Sequence, residues 1–255
     1  SWSMEPKKRK ILLVLELWLY NSAMYRCYST AYRKLAQEYE LVALVPSHQI
    51  DEAAAKMFSK VIHMSEAGVL SENLKLVSKF APDIILYSSI GMNSQTVCLA
   101  QFRLAPIQLM NTGHPASSFS EVIDYMILSE EFLPSNLDEI TEKIILVESN
   151  TFVNEKPEFA KIANLPKKAE YPEVVTLVCN SMYHKITPAF INACSEIQKR
   201  ASVPIKFNFL TGTDGLSQRA LKPVLDAKLN DVTFFRKVGY SIYSSIIAKS
   251  DLQLT

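Results

Sequence analysis

At 255 residues, 48% of them hydrophobic, the chain can form one large domain or two ordinary ones and bury a real core. Lysine and arginine number 27 against 26 acids, so a net charge of +1 offers no global field to nucleic acid or an anionic membrane. No apolar run is long enough to span a bilayer, and Cys27, Cys98, Cys179 and Cys194 form no CxxC pair, which reads as buried, reduced thiols in a cytoplasmic protein.

Short apolar runs alternate with helical patterns from Ile11 onward, the signature of an α/β fold with a mostly parallel, doubly wound sheet. Strands are predicted over 11–15, 41–45, 61–64, 83–87, 106–110, 123–128 and 144–147. Helices over 25–39, 51–58, 69–80 and 93–102 fall between them. Ligands of such sheets bind beyond the carboxyl ends of the strands, which singles out three loops, 16–26 (ELWLYNSAMYR), 88–95 (SSIGMNSQ) and 111–118 (NTGHPASS). All three are expected at one edge. In the third, Gly113 permits close approach of a ligand or of backbone, Pro115 stiffens the loop and His114 supplies an imidazole. The bland alternative is an ordinary connection between strands.

Residues 151–173, rich in charge and proline, read as a linker between a domain over 1–150 and another over 174–255. The second begins with a strand at 174–179 that ends in Asn180, followed by SMYHKITPAFINACSEIQKR. Thr187 and Pro188 make an N-cap and first helical residue, so Lys185 stands beside a helix start. A full positive charge next to free backbone N–H groups suits a diphosphate, and a plain solvated lysine is the alternative. Further on come a strand at 205–210, a TGTDG turn with Gly212 and Gly215, a helix from 217, a strand at 232–235, a helix at 240–248 and a last strand from 251.

The stretch APIQ at 105–108, GHPAS at 113–117 and IDY at 123–125 resembles the O-GlcNAc-transferase-like glycosyltransferase family. The nearest likeness is to its bacterial branch, the cytoplasmic N-glycosyltransferases that modify adhesins. That resemblance implies a GT-B fold, two Rossmann-like domains, the second incomplete here because the family's segment after the strand at 251–255 is absent. It implies an inverting enzyme that moves a hexose, glucose or N-acetylglucosamine, from a UDP-sugar to Asn or Ser/Thr of a protein. No metal or cofactor is implied, since Lys185 and the helix terminus would neutralise the leaving UDP, and the sequence shows no DxD-type acidic pair or clustered histidines.

By the same resemblance Lys185 binds the donor phosphates, with His184, Tyr183, Asn180 and Gly212 around it. His114 is the candidate catalytic imidazole, as a base or only as a positioning group, and Gly113, Tyr25, Arg26 and Tyr28 belong to the acceptor side. The family's two histidines in the loop after the first strand are replaced by Ser22 and Tyr28, and neither is a good base near neutral pH, tyrosine titrating near about 10. This opens an alternative, a non-catalytic glycosyltransferase-like partner that binds a protein acceptor or an active subunit, as a homo- or hetero-oligomer.

Overall fold

The computed structural model describes residues 8–20, 22–65, 68–114, 116–149, 151–154, 172–211, 215–236 and 238–254. Most of the expected linker, as well as Pro115 and Gly212, lies outside the described residues. The chain divides into two compact units, Ser1–Pro157 and Glu158–Thr255.

Unit 1 runs β1 (Lys10–Val14), α1 (Ala23–Glu38), β2 (Glu40–Val45), α2 (Glu52–Ala55), β3 (Lys60–His63), α3 (Leu70–Phe80), β4 (Ile84–Tyr87), α4 (Ser94–Leu99), β5 (Ile107–Asn111), β6 (Tyr125–Ser129) and β7 (Lys143–Val147). All seven strands are parallel, in the order β3-β2-β1-β4-β5-β6-β7. Successive residues of the central strands feed opposite faces. Leu12 and Val14 join Val42, Leu44 and Ile85 in one core, while Leu13 and Leu15 join Leu41, Ala43 and Leu86 in the other. Both faces being covered, β1 and β2 read as unbroken apolar runs.

Helix α1 starts where Ser22 Oγ accepts the Tyr25 N–H at 3.2 Å. Tyr25, Tyr28 and Tyr32 then recur at helical spacing on its buried face and pack with Trp18. Helices α2 and α4 are shorter than their apolar patterns predict. In each the last apolar residues leave the helix in tight turns, as when the Phe58 N–H donates to the Ala55 carbonyl and the Phe102 N–H to the Leu99 carbonyl.

Unit 2 runs β8 (Val175–Cys179), α5 (Pro188–Arg200), β9 (Ile205–Leu210), α6 (Gly215–Asp226), β10 (Val232–Phe235), α7 (Tyr240–Lys249) and β11 (Leu252–Leu254). Its four strands are parallel in the order β10-β9-β8-β11. Leu177, Phe207 and Phe209 of the sheet pack on Ile191 and Cys194 of α5 and Leu225 of α6.

The four thiols are unbridged, but not all are buried as expected. Cys179 and Cys194 are, whereas Cys98 lies on the outer face of α4, opposite buried Thr96 and Leu99, and Cys27 is half-buried.

Candidate active site

The order of the first sheet reverses between β1 and β4, the place where doubly wound folds leave a crevice beyond the strand ends. Here that crevice is filled from within. Glu16, 7% exposed just past β1, accepts the N–H groups of Gly91 at 3.3 Å, Met92 at 3.1 Å and Asn93 at 2.9 Å, together with the hydroxyls of Ser89 and Thr96. One buried carboxylate thereby ties the loop after β1 to the loop after β4 and to the start of α4.

The third loop closes onto the same place. A Cβ on Gly113 would sit 2.5 Å from the Ser88 carbonyl oxygen, 2.6 Å from Met24 Cε and 2.9 Å from Ser89 Cβ. The close approach that Gly113 permits is thus by the protein's own backbone. Gly91, at φ +136°, lies against the His114 ring, its hypothetical Cβ 3.1 Å from Nδ1. His114 Nδ1 is buried and has no hydrogen-bond partner among the described residues, while the His114 carbonyl accepts the Ala116 N–H at 2.9 Å. His48 and His63 are exposed and outside this cluster.

A cavity of about 560 Å³ opens beside the His114 loop. Tyr28 of α1, Thr112 and Gly113 of the loop, Met126 of β6, and Phe132 and Phe152 form its walls. Burial pushes the Tyr28 phenol above its ordinary range, a hydrogen bond with Thr112 opposing the shift in part. Tyr28 therefore keeps its proton near neutral pH and shapes the wall, packing against Tyr32 and edge-on against Phe152.

Behind it the fully buried Tyr32 phenol accepts Asn111 Nδ2 at 2.8 Å. Tyr25 is drawn into the core instead, its ring against Trp18 and Tyr20 and its hydroxyl accepting Arg33 Nη2 at 3.1 Å. Arg26 is half-buried and its charge acts on the neighbouring Cys27, whose thiol burial nonetheless raises.

Two parts of the motif that carries the resemblance build the fold rather than a binding surface. Gln108, buried in β5, uses its whole amide: Oε1 accepts the N–H groups of Leu104 and Ala105, and Nε2 donates to the carbonyls of Phe102 and Val122. Asp124 accepts the Gln108 N–H at 2.8 Å and a two-armed bond from Arg103 at 2.6 and 2.9 Å. The Arg103 hydrogen bond is the main reason its carboxyl lies below the ordinary value. Glu142 plays a similar part for the far side of the His114 loop, accepting the Ser118 N–H at 2.8 Å and both Ser117 and Ser118 hydroxyls.

In unit 2 a single 3-10 turn, Tyr183–Lys185, follows β8 and leads into α5. Thr187 caps the helix through the Phe190 N–H at 3.2 Å, with Pro188 in its first turn. Lys185, His184 and Tyr183 are exposed, and the Tyr183 and His184 rings meet edge to face at 5.6 Å. Asn180 is placed differently, its amide donating to the Tyr243 hydroxyl at 2.9 Å and accepting Gln253 Nε2 at 3.1 Å. The turn is presented to solvent; the asparagine is tied into the sheet.

No protein-family model matches the chain. Among solved structures it superposes on a Thermobaculum terrenum O-GlcNAc transferase mutant with a TM-score of 0.69 at 15% identity, covering 98% of this chain and 48% of that one. A glycosyltransferase from Rickettsia africae gives 0.57 at 16% identity, covering 96% and 72%. The fold is of the GT-B type. In sequence, the chain is 26% identical over 261 residues to a UDP-glucose:protein N-beta-glucosyltransferase of Actinobacillus pleuropneumoniae serotype 5b, covering 97% of this chain and 41% of that protein. A second protein of that name, from serotype 7, is 26% identical over 219 residues, covering 82% and 34%. The GT-B chain thus spans less than half the length of either curated relative it matches. Its likeness to protein glycosyltransferases agrees with the resemblance carried by the APIQ, GHPAS and IDY segments.

Proposed function

We propose that this chain is the GT-B part of an inverting, metal-independent glycosyltransferase. It would move a hexose, glucose or N-acetylglucosamine, from a UDP-sugar to an Asn or Ser/Thr side chain of a protein such as an adhesin. The observation that carries this reading is the likeness to two UDP-glucose:protein N-beta-glucosyltransferases, which in one runs over 97% of the chain and so through both units.

The chemistry divides between the units. In unit 2, Lys185 and the positive end of the α5 dipole supply charge for the diphosphate of the leaving UDP, with Tyr183 and His184 beside them for the nucleoside. Asn180, already spanning α7 and β11, holds the end of β8 in place for that turn. In unit 1 Glu16 ties together the loops beyond β1 and β4 where such sheets bind nucleotides, which favours an acceptor role for the His114 loop and the cavity beside it. His114 is the group for the acceptor proton, directly or by holding the acceptor amide. No described helix is long and apolar enough to cross a membrane, and the reading places the chemistry in the cytoplasm.

The second reading, a non-catalytic partner, is favoured by Ser22 and Tyr28. Ser22 is spent capping α1, and Tyr28 keeps its proton, so neither replaces a histidine base. Calorimetric titration of UDP into the chain and into Lys185→Ala, followed by a transfer assay with UDP-glucose and an Asn-containing peptide, separates the readings. UDP binding that falls at least about tenfold in the variant, with transfer read by mass spectrometry, supports the enzyme. UDP binding without transfer supports the partner, and no UDP binding overturns the donor site.

A further inference from the structure

The cavity in unit 1 has an uneven chemistry. Among the described residues only Glu131 and Glu139, both exposed, bring charge to its lining, and its walls are largely apolar or aromatic. The strand-to-strand segment that forms this wall, residues 130–142, holds five acids, Glu130, Glu131, Asp138, Glu139 and Glu142, and no lysine or arginine. The cation that precedes this segment in sequence, Arg103, is bound to Asp124, and the one directly after it, Lys143, lies over the Tyr125 ring. Phe132, 66% exposed, stands between the two carboxylates in sequence and lines the same space.

From this the geometry points to a subsite for a basic segment of the acceptor polypeptide, in which a lysine or arginine lays its aliphatic stem along Phe132, Phe152 and Met126 and brings its charge to Glu131 and Glu139. The inference rests on the proposed acceptor role of unit 1 and names the side-chain class that the acceptor carries near its modified residue. Size and position favour a polypeptide over a small amine. About 560 Å³ is within the range of whole ligand pockets. The wall is also shared with Gly113 and Ala116, on either side of His114, so a chain seated there lies against the His114 loop. Because both carboxylates are exposed in the free protein, a bound cation gains charge complementarity at modest desolvation cost.

The test uses fluorescently labelled peptides that share one Asn-Ala-Thr sequence and differ only in flanking residues, lysine, glutamate or alanine, titrated into the whole chain by anisotropy. The lysine peptide is expected to bind at least about tenfold more tightly than the glutamate peptide. The Glu131→Gln/Glu139→Gln pair should reduce that preference to about twofold, while a control pair of the same charge change, Glu38→Gln/Glu52→Gln, retains it. Equal binding of the three peptides, or the same loss in the control pair, overturns the subsite. Spermidine displacing the lysine peptide at equal or lower concentration overturns its assignment to a polypeptide. UDP titration of the same preparations keeps the two failures apart: peptide selectivity without UDP binding sinks the donor reading alone, and UDP binding without selectivity sinks the subsite alone.

Discussion

In unit 1 the loops beyond β1, β4 and β5 are fastened to one another before any ligand arrives, by a carboxylate with five donors and by a glycine pressed onto the neighbouring carbonyl. The turn beyond β8 in unit 2 is the reverse: Tyr183, His184 and Lys185 face solvent, and among the described residues Lys185 makes no ion pair. A site that must hold an imidazole and an acceptor side chain in a set geometry gains from being fixed in advance. A lysine meant for a diphosphate gains from remaining unpaired until the anion comes. On the proposed function, one sheet architecture would serve two roles through its loops alone.

Breaking the fixed side should cost stability, whereas breaking the open side should cost only binding. Glu16→Ala removes the shared acceptor and leaves three N–H groups and two hydroxyls beneath the His114 loop, so a loss of about 3–5 kcal/mol is expected. Glu16→Gln keeps one oxygen for the N–H groups and should lose about 1–2 kcal/mol. Urea unfolding measures both, and hydrogen exchange at residues 91–93 should rise most in the alanine variant. An alanine variant as stable as the parent would mean that water replaces the carboxylate and that the crevice is not closed. Lys185→Ala, by contrast, should leave the unfolding midpoint unchanged.

Gly113→Ala sharpens the comparison further, because it adds one methyl and removes no hydrogen bond. With the Ser88 carbonyl oxygen 2.5 Å from the new carbon, backbone must move, and a loss of about 2–3 kcal/mol is expected, read as a lower thermal midpoint. Normal stability would show that the loop slides freely over Ser88 and that its fixed geometry is illusory.

How much of this can be read from residues alone differs between the two units. The alternating runs give the strands of both sheets, since buried parallel strands are apolar on both faces. Thr187 and Pro188 likewise mark the start of α5. The convergence of the three loops follows from parallel topology. The clamp does not, since Glu16 lies 73 to 80 residues from its partners and a glutamate after a strand reads as solvated until the sheet brings them together. Tyr25 and Tyr28 share one motif, yet α1 turns Tyr25 into the core and Tyr28 to the edge of the cavity, a difference set by the helix's rotation against Trp18. Gln108 and Asp124 carry the resemblance as strongly as His114, although their work is internal hydrogen bonding. A motif marks the positions a fold cannot change, and chemistry is only one reason for that.

The smallest effect is expected at the other end of the His114 loop. Burial works to raise the Glu142 carboxyl, but the Ser118 and Ser117 hydroxyls and the Ser118 N–H outweigh it, and the group lies below its ordinary value in the folded protein. A carboxyl depressed by folding adds stability above its unfolded value, near about 4.3, and that contribution fades as pH falls through the lower folded value. Parent and Glu142→Gln should therefore differ by a constant amount, about 1 kcal/mol or less for a group with partial solvent screening, from neutrality down to about pH 5. Below that the two unfolding midpoints should converge, and an N–H probe at Ser118 should lose protection over the same range. If the difference instead persists unchanged to about pH 3, the serines hold the loop without the charge, and Glu142 is a spectator of a fixation that begins and ends with Glu16 and Gly113.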